Sequence, residues 1–243
     1  MGRILKAVPA ALAVPGLLFV VSCGSGGEAD DTSREITSEQ LTQMVLTLDQ
    51  FGPEYASFAP DEKNGVVNID TASEDDFDPT AERGDLQTFG FASGYEAYYS
   101  AQEATAGGSV FLGSQTVIFE TADGAAGYFD DSITELSEDL GRTSGDTTLI
   151  EAEKFDVDTA ANEAVGMRGV ARFTNEDGSS TDVWIAATQL RRGRLLGAVA
   201  IYAIGADDLE KQRLEGKVKG LASVMNDRIA SVLATAAPAA AAQ

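Results

Sequence analysis

The sequence predicts an α+β domain: an antiparallel sheet with a C-terminal three-strand meander, flanked by helices that include a long C-terminal one. Three observations predict it. Ala164–Phe173, Thr181–Leu190 and Arg194–Tyr202 are strand-like runs separated by the turn sequences Asn175-Glu176-Asp177-Gly178 and Arg191-Arg192-Gly193. Ala126, Phe129, Ile133, Leu136 and Leu140 recur at steps of three and four, which is one apolar face of a helix. Leu214, Val218, Leu221, Met225, Ile229 and Val232 repeat that pattern over a longer stretch near the C-terminus. Helix, strands, helix, meander and long helix in that order fit an antiparallel sheet with helices packed on it.

The elements follow in order. Thr37-Ser38-Glu39-Gln40 has the form of a capping box, with Leu41, Met44, Val45 and Leu48 behind it at helical spacing. Gly52-Pro53 is expected to stop that helix. Residues 55–80 read as loop-rich, with Asn64-Gly65 as a hairpin dipeptide before a short strand at Val66–Ile69. Leu86–Phe91 reads as a strand. Gly94–Ala106, with Tyr95, Tyr98 and Tyr99, reads as a helix broken by Gly107-Gly108. Ser109–Glu120 is β-branched and aromatic, hence a strand, and Thr121 or Asp123 caps the helix after it. On that helix Asp130, Asp131, Glu135, Glu138 and Asp139 take the polar face. Leu149–Phe155 is a further strand. In the final hairpin Val183, Ile185 and Ala187 make one face apolar while Trp184, Ala186 and Leu190 do the same for the other. A sheet covered on both faces, or a central hairpin, explains that. Asp207, Asp208 and Glu210 place acids at the positive end of the last helix dipole. Gly216 and Gly220 inside that helix each cost about 1 kcal/mol relative to alanine, so they are expected to mark close packing on the sheet. No internal repeat is present.

The N-terminus has a separate logic. Arg3 and Lys6 form a positive n-region, Ala7–Val21 is an apolar run with Pro9 and Pro15, and small residues precede Cys23. The run is short of the ~20 apolar residues that cross a bilayer, and each proline removes a helix donor. Val20-Val21-Ser22-Cys23 resembles the lipobox of bacterial prolipoproteins. That resemblance implies cleavage before Cys23, acylation of its thiol, and a protein held at the extracytoplasmic face of the cell membrane by lipid. Cys23 is the only cysteine, so no intrachain disulfide forms. The plainer alternative is a stray thiol after an ordinary signal peptide. The division is then a signal peptide at 1–22, a flexible Gly/Ser/Asp/Glu-rich tether at 23–36, one domain at 37–235 and a low-complexity tail at 236–243.

Composition narrows the chemistry. The chain of 243 residues has 17 basic and 39 acidic residues and no histidine. Without Arg3 and Lys6, the remaining 15 basic and 39 acidic residues give −24. Such a surface repels nucleic acid and anionic headgroups. The absence of histidine excludes Ser-His-Asp triads, Cys-His dyads and His-based zinc sites. No dinucleotide, P-loop or nucleophile-elbow motif occurs, and no cofactor is expected. Three candidate sites remain. Glu74, Asp75, Asp76 and Asp78 are set against calcium, or against a solvated loop. Tyr95, Tyr98, Tyr99 and Trp184 line a cleft, or are ordinary packing. Arg191, Arg192 and Arg194 grip an anionic envelope ligand or partner, or decorate a solvated turn.

Val117–Phe119 followed by Thr121-Ala122-Asp123-Gly124-Ala125-Ala126, then Asn162-Glu163-Ala164-Val165-Gly166, then the hairpin Val183–Tyr202, together resemble LpqN-type lipoproteins and related PsbP-like extracytoplasmic domains of Actinobacteria. The resemblance implies a binding or envelope module without a catalytic set, and it carries over no functional residue. The expected function is a membrane-anchored, non-catalytic binding lipoprotein. The alternative is a carboxylate-dependent hydrolase acting on envelope glycans.

Overall fold

The fold is known from a computed structural model, which describes residues 32, 35–74, 79–101, 109–175 and 177–235, without the side chains of Glu74, Leu136 and Ser137. The leader, Cys23, the Asp75–Asp78 run, the Gly107-Gly108 break, Glu176 and the C-terminal tail lie outside the described residues.

The elements are helices α1 (Ser38–Met44) and α2 (Leu48–Phe51), strands β1 (Phe58–Pro60) and β2 (Gly65–Val67), helices α3 (Ile69–Glu74) and α4 (Pro79–Thr88), and strands β3 (Phe91–Ala101) and β4 (Ser109–Phe119). Helix α5 (Ala122–Glu138), strands β5 (Thr143–Ser144), β6 (Thr147–Phe155), β7 (Glu163–Thr174), β8 (Ser180–Arg192) and β9 (Leu195–Ile204), and helix α6 (Asp208–Thr235) follow among the described residues. The nine strands form one antiparallel sheet in the order β1-β3-β4-β9-β8-β7-β6-β5, with β2 also on β3. The α+β architecture, the meander β7-β8-β9 and the long last helix are therefore as the sequence predicts.

The central position of β8 and β9 explains their two apolar faces. On one face Trp184, Ala186, Leu190, Leu195, Val199 and Ile201 pack with Leu41, Met44 and Phe51 and with Leu214, Val218, Met225 and Ile229 of α6. On the other, Phe91, Val117, Phe119 and Leu196 pack with Leu86 of α4 and Ala125, Phe129 and Ile133 of α5. A third apolar group on the strands joins Ala171, Phe173, Val183, Ile185, Ala187, Ala200 and Tyr202. The capping box forms as read: the Gln40 amide donates to Thr37 Oγ1 at 3.3 Å, and Gln40 Oε1 accepts from the Thr37 amide at 2.8 Å. Thr121, not Asp123, caps α5, its Oγ1 accepting from the Gly124 amide at 2.9 Å.

Several expectations are corrected. The stretch with Tyr95, Tyr98 and Tyr99 is strand β3, not a helix. Leu86 belongs to helix α4, so the strand begins only at Phe91. Ile69 opens α3 rather than ending a strand. The first helix stops at Met44, before Gly52-Pro53 is reached. Arg191 and Arg192 are the last residues of β8, and the turn is Gly193-Arg194. With φ of +56° at Gly193, this is the glycine-first two-residue hairpin that matches strand twist. Leu140 lies beyond α5 and is exposed, while Asp139 is buried rather than on a polar face. Gly216 and Gly220 face outward with open space where a Cβ would stand. The close approach is made instead by Gly197 of β9, where a Cβ would lie 2.9 Å from Met225 Cε and 3.0 Å from Ile229 Cδ1.

Both borders of the sheet are interrupted. The outer side of β3 carries two three-residue strands, β1 at Tyr99–Ala101 and β2 at Gly94–Glu96. At the opposite border β5 covers only Thr147 and Thr148. Beyond it β6 has an irregularity between Leu149 and Glu151 and presents Glu151, Glu153 and Lys154 to solvent.

Candidate functional site

The arginine turn read from the sequence lies at the β8–β9 tip. Its three guanidiniums do not act as one patch. Arg191 Nε pairs with the Glu163 carboxylate, and Arg191 Nη1 donates to the Gly193 carbonyl at 3.2 Å. The Gly193 amide donates to Asn162 Oδ1 at 2.8 Å, and the Asn162 amide to the Arg191 carbonyl at 2.9 Å. The start of β7 and the β8–β9 tip are thereby locked together. Arg192 is half-buried at the end of β8.

Arg194 is spent on backbone. Its Nε donates to the carbonyl of Thr32 at 2.7 Å, and its Nη1 donates to the carbonyls of Phe119 and Glu120 at 3.1 and 3.2 Å. Its own amide donates to Thr32 Oγ1 at 2.9 Å, and its carbonyl accepts from the Phe119 amide at 3.0 Å. Carbonyls at a strand end have lost their ladder partners, and a guanidinium offers five donors in a fixed fork to replace them. Thr32 is fully buried by this contact although it lies inside the stretch read as a free tether. Ile36 packs against the main core as well. Within the stretch 23–36, Thr32 and Ile36 therefore contact the domain.

The predicted aromatic set does not converge. Tyr95 and Tyr99 share the core face of β3 with buried Trp184 of β8. Tyr99 stacks edge-on with Phe51 at 5.9 Å, and its hydroxyl donates to the Leu46 carbonyl at 3.3 Å. Tyr98 points to the opposite face, where its hydroxyl reaches Glu96 Oε2 at 3.3 Å. Burial raises the Tyr99 phenol above its ordinary value, with Tyr95 adding to it. These rings fill the fold rather than line one cleft.

One carboxylate group escaped the sequence. Asp85 of α4 and Asp131 and Glu135 of α5 bring oxygens within 4.8 Å of one another, all three half-buried. The buried Glu82 nearby accepts from the Tyr128 hydroxyl at 2.7 Å. Burial, and secondarily Glu138, raises the Asp131 carboxyl above the usual range. Three such oxygens are hard ligands of the kind a divalent cation uses. The i, i+4 spacing of Asp131 and Glu135 was visible in the sequence; Asp85 was hidden because α4 was not recognised.

Among the described residues no helix is long and apolar enough to cross a membrane. No protein-family model matches the chain, and no curated protein matches it. Among solved structures it is similar to the extracellular domain of PknH from Mycobacterium tuberculosis, at 11% identity over 80% of this chain and 99% of that chain, with a TM-score of 0.48. Similarity at that level assigns neither a family nor a function.

Proposed function

We propose that the protein is an extracytoplasmic lipoprotein, anchored through lipid on Cys23, whose domain serves as a non-catalytic binding module of the cell envelope. The observation that carries the reading is the N-terminal layout: Arg3 and Lys6, then an apolar run, then Val20-Val21-Ser22 before the chain's single cysteine. Thr32 follows Cys23 by nine residues, so a lipid on Cys23 would sit close to the folded body. Two or more acyl chains make a lasting anchor, since each buried CH₂ contributes about 0.8 kcal/mol. The lack of histidine and of nucleophile motifs favours binding over catalysis.

The test is partitioning. Full-length protein from membranes should enter the detergent phase, and its N-terminal peptide should carry acyl mass on Cys23. Cys23→Ala should move the protein to the aqueous or secreted fraction. Unchanged partitioning would refute the anchor. The hydrolase alternative gains no support from Asp85, Asp131 and Glu135. They lie together on two adjacent helices, whereas hydrolysis needs carboxyls on opposite sides of a glycosidic bond.

A further inference from the structure

We propose that the Arg194–Thr32 clamp decides which end of the domain faces the membrane, an inference that rests on the lipid anchor at Cys23. The strands run pole to pole. One pole carries the Gly90 turn, Glu120-Thr121, Asn162-Glu163 and the β8–β9 tip; the other carries the Asn175–Ser179 turn and the end of β9. Thr32 is fixed to the first pole through Arg194: its Oγ1 and carbonyl both accept from Arg194, whose Nη1 is tied in turn to the carbonyls of Phe119 and Glu120.

Length gives the clamp its effect. Nine residues separate Cys23 from Thr32, so the first pole stands at most ~30 Å from the lipid, at about 3.5 Å per extended residue. Strand β8 has 13 residues, and at ~3.3 Å each it places the second pole about 40 Å farther along the strand axis. The bilayer surface is therefore the partner of the first pole, and the Asn175–Ser179 turn is directed into the envelope space.

Energy transfer to the bilayer tests this. Cys23 is the chain's only cysteine and the lipid occupies its sulfur, so an introduced cysteine is the one free thiol. Asp123→Cys marks the first pole and Asp177→Cys the second; both positions are exposed. Each full-length lipidated variant carries a donor dye and is placed in phosphatidylglycerol vesicles bearing acceptor-labelled headgroups. Transfer from position 123 should exceed transfer from 177 at least about threefold, given poles ~40 Å apart. A Gly/Ser insert of about twelve residues, raising the maximum extended reach by about 40 Å, should lower transfer from position 123 when placed between Ser25 and Gly26. The same insert between Ser33 and Arg34 should leave transfer nearly unchanged, because it lies on the domain side of the clamp. Equal transfer from both poles, or equal loss from both inserts, in a protein whose Cys23 peptide carries acyl mass would overturn the orientation alone. A Cys23 peptide without acyl mass would overturn the anchor and the orientation with it.

Discussion

Replacing glycines on either side of the α6–sheet contact should change stability in opposite directions. At Gly197 an added Cβ would stand 2.9 Å from Met225 Cε, 3.0 Å from Ile229 Cδ1 and 3.2 Å from Met225 Sδ. Ordinary contact begins near 3.4 Å, so both side chains must withdraw by roughly half an ångström. Neither has room, since Met225 and Ile229 are both 0% exposed. Valine at this position is favoured by strand propensity, yet its two methyls enter the same filled space. Overpacking of this kind costs about 1–3 kcal/mol, and the γ-methyls put Gly197→Val near the upper end. Gly216 and Gly220 meet nothing within 4 Å. Alanine there should stabilise by ~0.5–1 kcal/mol each, through lost freedom of the unfolded chain. At roughly 2–4 °C per kcal/mol for a domain of this size, Gly197→Val should melt about 5–10 °C lower and the Gly216→Ala/Gly220→Ala double variant about 3–6 °C higher. Thermal melts by circular dichroism, with urea titrations for the free energies, measure both. A destabilised alanine double variant, or a Gly197→Val protein within ~0.5 kcal/mol of wild type, would refute the placement of the close contact on the strand.

Ile133→Ala should cost ~2–5 kcal/mol in urea unfolding, as expected for a residue 6% exposed between α5 and the sheet. Arg194→Gln should lower the melting temperature and expose the segment around Thr32 to protease, because it removes the donors to three carbonyls. Glu215 loses solvation on burial, but hydrogen bonds from Lys219 and Arg168 outweigh that and hold its carboxyl below the usual range. A lowered folded value stabilises above the unfolded value and is lost as pH falls through the folded one. Glu215→Gln should therefore melt lower than wild type at pH 7, and the gap should close below about pH 4.

The parts of the fold legible in sequence were those whose periodicity had one explanation. The capping box, α5, α6 and strands β4 and β6–β9 carry local signals that tertiary packing does not contradict. Tyr95, Tyr98 and Tyr99 show the limit. Spacings of three and four match a helix, yet on β3 they arise because Tyr95 and Tyr99 face the core while Tyr98 uses the other face. A strand with large residues on both sides loses the alternation that would identify it. Helix α4 was hidden for the opposite reason. Pro-Thr-Ala-Glu-Arg-Gly-Asp-Leu-Gln-Thr has a glycine inside it and an apolar face reduced chiefly to Leu86. The clamp could not be read at all: Thr32 and Arg194 are 162 residues apart, and nothing local to either announces the other. Composition identified the arginine turn as unusual but gave it an outward task, whereas Arg191 and Arg194 serve neighbouring segments of the same chain.

The interrupted borders of the sheet matter most where molecules are crowded. Proteins confined to a surface meet one another far more often than the same number in free solution, and an open strand invites a neighbour to continue the ladder. Here β3 offers no unbroken border, because β1 and β2 occupy it in two short pieces. Strand β6 meets an approaching chain with Glu151, Glu153 and Lys154 and a break in its pleat. Among the described residues both edges of the sheet are short, broken or charged, which disfavours extension of the ladder by a second copy.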